Sequence, residues 1–230
     1  MVLAEIVNSC VNLFFPETCA LCAKHSADYP LPICPDCAGD LNDHFLPPAS
    51  GSGPLENILS CGPYAGSLRL CIKKFKYNGR LKVTPLFGGM ISSCLEKYGV
   101  LLKDSDCLIP VPLHPAKRRK RGYNQSELIA HILQQELSVP SHKHILVKTR
   151  NTGAQTGLPR NERVRNLAGS FRVIDKDLVA GRNVVLVDDI ITTGATLETC
   201  ARQLVQAGAG KVSGFTLART PRKQISFSGV

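Results

Sequence analysis

The stretch Asn183-Val184-Val185-Leu186-Val187-Asp188-Asp189-Ile190-Ile191-Thr192-Thr193-Gly194-Ala195-Thr196 decides the fold. Its first five residues are mostly β-branched and predict a buried strand. Two adjacent carboxylates follow at the strand's end. A short loop of threonines around a glycine comes next, and then a helical pattern in Leu197, Cys200, Ala201, Leu204 and Val205. A helix start presents free N–H groups and the positive end of its dipole, which together favour an anion. Gly194 lets the backbone approach that anion closely. Thr192, Thr193 and Thr196 add hydroxyl donors. Asp188 and Asp189 would repel a phosphate, so they suit sugar hydroxyls or Mg²⁺ instead.

Working outward, 230 residues suffice for one α/β domain and a small extra module. Hydrophobic residues make up 43% of the chain, enough for a core, and no run is long enough to span a membrane. The net charge of +10 is uneven. Residues 1–60 hold one Lys/Arg against seven Asp/Glu, whereas residues 61–230 hold 27 against 11. Such a split predicts two modules, at 1–58 and 59–230. The basic one either meets polyanions or simply presents a solvated cationic surface. The N-terminus lacks basic residues and carries Glu5, so no secretory signal is read there. The expected compartment is a reducing cytoplasm.

Residues 2–15 repeat apolar side chains at roughly helical spacing up to Pro16. Cys19-Ala20-Leu21-Cys22 and Cys34-Pro35-Asp36-Cys37 follow, with eleven residues between the pairs. Two such knuckles can close a tetrahedral four-cysteine site with no open position, which predicts a structural Zn²⁺. A redox role would call for a surrounding βαβ pattern that is missing here. His25 lies between the knuckles and reads as a loop residue or a substitute ligand. Residues 47–54, rich in Pro, Gly and Ser, read as a linker.

Leu68, Cys71, Ile72 and Phe75 recur at helical spacing, with Lys73, Lys74 and Lys76 on or beside the other face. Phe75 through Arg80 reads as a basic, aromatic turn. Lys76 and Arg80 suit phosphate, and Tyr77 either stacks on a base or sugar or joins Phe75 as core and rim. A second helix is expected over about 80–98. Cys107–Val111 reads as a core strand that the prolines end. A loop follows, with Lys117, Arg118, Arg119, Lys120 and Arg121 crowded before Gly122 and Tyr123. Five adjacent cations repel one another unless an anion binds; the other reading is a disordered basic loop. Ser126–Leu137 reads as a helix, and 145–149 and 171–174 read as strands. Between them runs a long polar stretch, 150–166, of the kind that forms functional lids or stays disordered. A last strand is expected from Lys211 to Leu217.

The Asp188–Thr196 string resembles the phosphoribosyl pyrophosphate (PRPP) signature of type I phosphoribosyltransferases. Further matches occur in order along almost the whole chain. They are the paired knuckles; Phe75-Lys76-Tyr77 with Gly79; Pro110-Val111-Pro112; Arg121-Gly122-Tyr123-Asn124-Gln125; Gln155-Thr156 with Leu158, Arg163 and Asn166; and the PRPP string itself. Together they resemble the ComF family of phosphoribosyltransferase-like proteins. The resemblance implies an α/β parallel-sheet phosphoribosyltransferase fold carrying a small N-terminal zinc-finger module with four cysteine ligands. It implies that Asp188 and Asp189 bind the ribose hydroxyls with Mg²⁺ nearby, and that the segment Ile191, Thr192, Thr193, Gly194, Ala195 and Thr196 cradles the 5-phosphate. It puts a pyrophosphate loop at Lys117, Arg118, Arg119 and Arg121, and a closing loop in 150–166.

The resemblance also implies a cellular role, cytoplasmic handling of single-stranded DNA in natural transformation, alongside other DNA-uptake proteins. Lys73, Lys74, Lys76, Tyr77, Arg80 and Tyr123 are the nucleic-acid candidates, because single strands need a cationic groove with aromatic stacking. The alternative is a metabolic phosphoribosyltransferase that transfers ribose 5-phosphate from PRPP to a base or amine.

Overall fold

The computed structural model describes residues 18–24, 33–42, 45–77, 84–152 and 160–221. The expected N-terminal helix over 2–15, His25, Arg80, the segment 153–159 with Gln155, Thr156 and Leu158, and the side chains of Tyr77 and Arg163 lie outside the described residues.

The described helices are α1 (Pro35–Asn42), α2 (Gly66–Tyr77), α3 (Thr84–Tyr98), α4 (Pro115–Arg121), α5 (Gln125–Leu137), α6 (Arg160–Leu167) and α7 (Ala195–Gln206). The strands are β1 (Ala49–Ser50), β2 (Asn57–Pro63), β3 (Cys107–Pro110), β4 (Leu146–Lys148), β5 (Phe171–Val173), β6 (Val184–Ile191) and β7 (Val212–Arg219). A five-stranded sheet runs in the order β1-β2-β7-β6-β3. Only β1 is antiparallel to its neighbour; the other pairings are parallel. β4 and β5 form a separate antiparallel pair.

Parallel strands are buried on both faces, and the pleat divides their side chains between two cores. Leu59, Leu108, Val185, Val187, Phe215 and Leu217 pack on one side with α2, α3 and α5. Cys107, Ile109, Val184, Leu186 and Val212 pack on the other with α7 and the β4–β5 pair. The cysteine knuckles belong to the first core: Cys19, Leu21, Ile33, Cys34 and Leu41 cluster with Phe75 and Ile72 of α2. Among the described residues no helix is long and apolar enough to cross a membrane.

Three local expectations change. β6 does not stop at Val187 but continues through the acidic pair, because Asp188, Ile190 and Ile191 stay in register with Thr216, Ala218 and Arg219 of β7. The cations 117–121 form a helix, not a loop. His114 caps that helix by accepting from the Ala116 N–H, Pro115 sits in its first turn, and Gly122 closes it at φ +84°. Arg118, Arg119, Lys120 and Arg121 fall in its last turn, where the helix dipole favours cations. Residues 47–54 are not a free linker. Ala49 and Ser50 pair with Ile58 and Asn57, and the Gly51 N–H donates to the Glu56 carbonyl. Composition hid this short edge strand.

Candidate phosphoribosyl and cysteine sites

β3 and β6 are neighbours, yet the chain leaves them in opposite directions. β3 leads to α5 on one face of the sheet, and β6 leads to α7 on the other. A crevice opens at the carboxyl ends of two strands wherever the connections diverge in this way. Asp188, Ile190, Ile191, Thr192, Thr193, Gly194, Ala195, Thr196 and Leu197 line a cleft there. Gly194 stands as the N-cap of α7 at φ +82°, a left-handed conformation that side chains with a Cβ resist. The first-turn amides of α7 are therefore aimed into the cleft without an intrahelical partner.

The pleat splits the acidic pair. Asp189 is on the α2 side, where its Oδ1 lies 2.8 Å from the Lys76 ammonium. Asp188 accepts from the Ser126 hydroxyl at 3.0 Å and from the Asp189 N–H at 2.9 Å. Burial first, and the neighbouring Asp189 charge second, push the Asp188 carboxyl up to about 7, against the pull of Lys76, the Asp189 N–H and Ser126. Burial works against the Lys76 charge, but Asp189 and then Asp188 outweigh it, and its pKa is raised.

Further cations converge on the carboxylates. Lys117 has its pKa lowered by partial burial and by the like charges of Arg121 and Lys76, while Asp189 acts the other way. Lys148 on β4 is lowered by burial and by Lys117, while Asp188 is among the groups holding it up. Lysines that depress one another around two carboxylates describe a pocket with a deficit of negative charge. A polyanion would relieve it. Two adjacent hard carboxylates could also hold Mg²⁺, which takes one or two carboxylates and completes its shell with water and phosphate oxygens.

The remaining expected anion-loop residues are more dispersed. Arg118 is locked to Glu127 of α5 by two bonds, at 2.6 and 3.0 Å. Arg121 donates to Gln125 Oε1 at 2.5 Å. Arg119 is exposed.

Among the described residues, the nucleic-acid candidates Lys73, Lys74, Lys76 and Tyr123 have different surroundings. Lys73 is exposed. Lys74 donates to the Ala20 carbonyl at 2.5 Å, inside the first cysteine knuckle. Lys76 pairs with Asp189. Tyr123 is partly buried: its ring lies 5.7 Å from that of Phe75, and its hydroxyl donates to the Phe75 carbonyl. Phe75 itself is fully buried and edges onto Phe87 at 5.0 Å. Sequence reading missed Lys148 and Ser126, which were folded into a strand and a helix. It also gave no sign that Lys76 pairs with Asp189.

The four knuckle cysteines converge as expected. The sulfurs of Cys19, Cys22, Cys34 and Cys37 all lie within 4.8 Å of one another, and those of Cys22 and Cys34 are 3.7 Å apart. The Leu21 and Cys22 amides point at Cys19 Sγ, at 3.4 and 3.5 Å. Burial raises the Cys19 thiol, but backbone amides led by that of Cys22 bring it down to about 6. The cluster could hold a metal ion.

Residues 124–226 match the phosphoribosyl transferase domain. That span runs from the N-cap of α5 through β6, the Thr192–Thr196 loop and β7, and it contains both carboxylates. Over 207 residues the chain is 28% identical to competence protein F of Haemophilus influenzae, covering 87% of this chain and 90% of that protein. It is 28% identical to the DNA utilization protein YhgH of Escherichia coli K12 over 209 residues, 88% of this chain and 90% of that one. A solved glutamine PRPP amidotransferase from B. subtilis superposes over 64% of this chain and 30% of its own, at 20% identity and a TM-score of 0.43. Competence protein ComFC of Bacillus subtilis is 31% identical over 206 residues, spanning 88% of this chain and 78% of that protein. A type I phosphoribosyltransferase fold extended by a four-cysteine cluster, together with these relatives, places the chain in the ComF family of competence proteins.

Proposed function

We propose that the cleft at the ends of β3 and β6 binds PRPP with Mg²⁺. The observation that carries this reading is one cleft lined by Asp188, by the Thr192–Thr196 loop and by the Gly194-capped start of α7, with Asp189 the next residue along β6. Asp188 and Asp189 take the ribose hydroxyls and the metal ion. Thr192, Thr193, Thr196 and the first amides of α7 take the 5-phosphate. Lys117, Arg121 and Lys148 face the diphosphate. In a transfer reaction Mg²⁺ would supply charge stabilisation to departing pyrophosphate. The chain's own contribution is to fix the ribose and supply preorganised cations.

The four cysteines hold Zn²⁺ in a closed tetrahedral site that serves structure rather than chemistry. In the cell we place the chain in the cytoplasm, handling incoming single-stranded DNA during natural transformation. This part of the reading follows the names of its relatives, competence protein F, ComFC and DNA utilization protein. The exposed cations Arg119 and Lys120 are the phosphate contacts offered to that strand.

The test is titration calorimetry with PRPP and Mg²⁺ on the wild type and on the Asp188→Asn, Asp189→Asn double variant. Binding by the wild type that the double variant loses is the expected result. Equal affinity in the two proteins overturns the assignment. Pyrophosphate release on adding a base or amine acceptor would make the chain a metabolic transferase as well.

A further inference from the structure

Within the basic run of α2, Lys76 is the lysine that pairs with Asp189, the neighbour of the cleft-lining Asp188, and its surroundings leave it little freedom. Its side chain is 20% exposed and that of Asp189 is 10% exposed. The turn that carries it is fastened on both sides. Tyr123 and Gln125, at the start of α5, both donate to the Phe75 carbonyl one residue earlier. One turn back, Cys71 and Ile72 are wholly buried. The ammonium is thus delivered to Asp189 by a rigid helix end rather than by a flexible arm.

This contact neutralises a carboxylate that any divalent cation entering the site would also need. The ammonium and a metal ion would compete for the Asp189 carboxylate. When the metal wins, Lys76 loses its counter-ion and is left beside Arg121 and Lys117, both already repelling it. Stranding a mostly buried ammonium among like charges is costly unless an anion arrives. The diphosphate of PRPP would be such an anion.

Building on the PRPP reading of this cleft, we propose that Lys76 is an exchange residue of the phosphoribosyl site. It holds Asp189 when the site is empty and passes to the diphosphate when a divalent cation takes the carboxylates. Metal and diphosphate are therefore bound together and hardly at all apart. The coupling is reciprocal: each ligand raises the affinity for the other by the same factor.

This exchange predicts opposite signs for one substitution. Lys76→Met frees Asp189, so Mg²⁺ alone should bind about tenfold tighter than to the wild type. The same variant lacks a diphosphate contact, so Mg²⁺-pyrophosphate and Mg²⁺-PRPP should each bind about tenfold weaker. Lys76→Arg keeps the charge and should bind Mg²⁺ alone as weakly as the wild type does. Calorimetry on the full chain with Mg²⁺, Mg²⁺-pyrophosphate and Mg²⁺-PRPP reads all three. If Lys76→Met does not melt as the wild type does, Lys76→Gln takes its place. Unchanged or weaker binding of Mg²⁺ alone in the neutral variant overturns the exchange, and it leaves the PRPP reading intact if the wild type still takes PRPP. A wild type that takes Mg²⁺-pyrophosphate but not PRPP overturns the PRPP reading instead; the opposite-sign result on metal and pyrophosphate then still supports the exchange.

Discussion

The Lys74 ammonium donates to the Ala20 carbonyl at 2.5 Å, which ties the last turn of α2 to the loop between Cys19 and Cys22. The first turn of the same helix is held by α1, where Asp40 Oδ2 accepts from the Ser67 N–H at 2.6 Å. Cys37 lies on α1 as well. Both ends of α2 thus rest on segments that carry the clustered cysteines.

Metal removal should therefore be felt beyond the cysteines. Native protein is expected to carry one zinc per chain by elemental analysis. Chelation, or Cys37→Ser, should raise amide hydrogen exchange across residues 66–77 while leaving β6 and β7 protected. Unchanged exchange in α2 after zinc loss would show that the two fastenings do not depend on the metal.

The two carboxylates should respond oppositely to neutralisation. Asp188→Asn removes a charge that burial and Asp189 both oppose, so at pH 8 it should raise Tm. Asp189→Asn leaves the Lys76 ammonium without its ion-pair partner and should lower Tm. Both should weaken PRPP binding. Thermal melts at pH 8 in which the two variants shift in the same direction would contradict this division of roles.

The pH dependence follows from the raised Asp188 pKa. A carboxyl that holds its proton more tightly in the folded chain favours the fold at low pH. That contribution is full below the ordinary carboxylate range and is lost as pH climbs to about 7. Metal binding runs the other way, because it needs the deprotonated form. Mg²⁺ affinity should rise about tenfold per pH unit up to about 7 and then level off. Calorimetry between pH 5.5 and 8.5 on the wild type and Asp188→Asn checks this, and the variant should lose the slope.

Nucleic-acid binding should rest on the exposed cations of α4. Single-stranded DNA affinity should fall steeply with salt, with little preference for sequence. Replacing Arg119 and Lys120 with Ala should flatten the salt slope by about 1.4, at ~0.7 per lost phosphate contact. PRPP affinity should not change. Replacing Arg118 should matter less, because its guanidinium is already engaged by Glu127. Fluorescence anisotropy on a labelled oligonucleotide across a salt series measures each slope.

The strand–loop–helix unit around Asp188 was legible because each of its parts has a local cause: β-branched residues, a positive-φ glycine and a helical repeat. The cysteine cluster was legible from spacing alone. The roles of Lys74 and Lys76 were not. They sit two residues apart on one helix, and only tertiary packing sends one to the Ala20 carbonyl and the other to Asp189. Lys148 was hidden in the same way, since nothing near it in the chain announces Asp188. β2 escaped notice because Ile58-Leu59-Ser60-Cys61 is short and mixed, and its partner lies far along the chain. Buried Ser60 is satisfied there by Thr216, at 2.8 Å.

That distant partnership governs how the chain can fold as it is made. β7 lies between β2 and β6, joining Leu59 to Phe215 on one side and Phe215 to Val187 on the other. It is also the last strand of the sheet to leave the ribosome. At roughly 5–20 residues per second, β2 waits on the order of ten seconds with its bonding edge open before residues 212–219 emerge. Pairings this remote in sequence also close slowly. A nascent chain stalled before Val212 would display β2 and β6 as two unpaired apolar edges, the kind of surface on which chains aggregate.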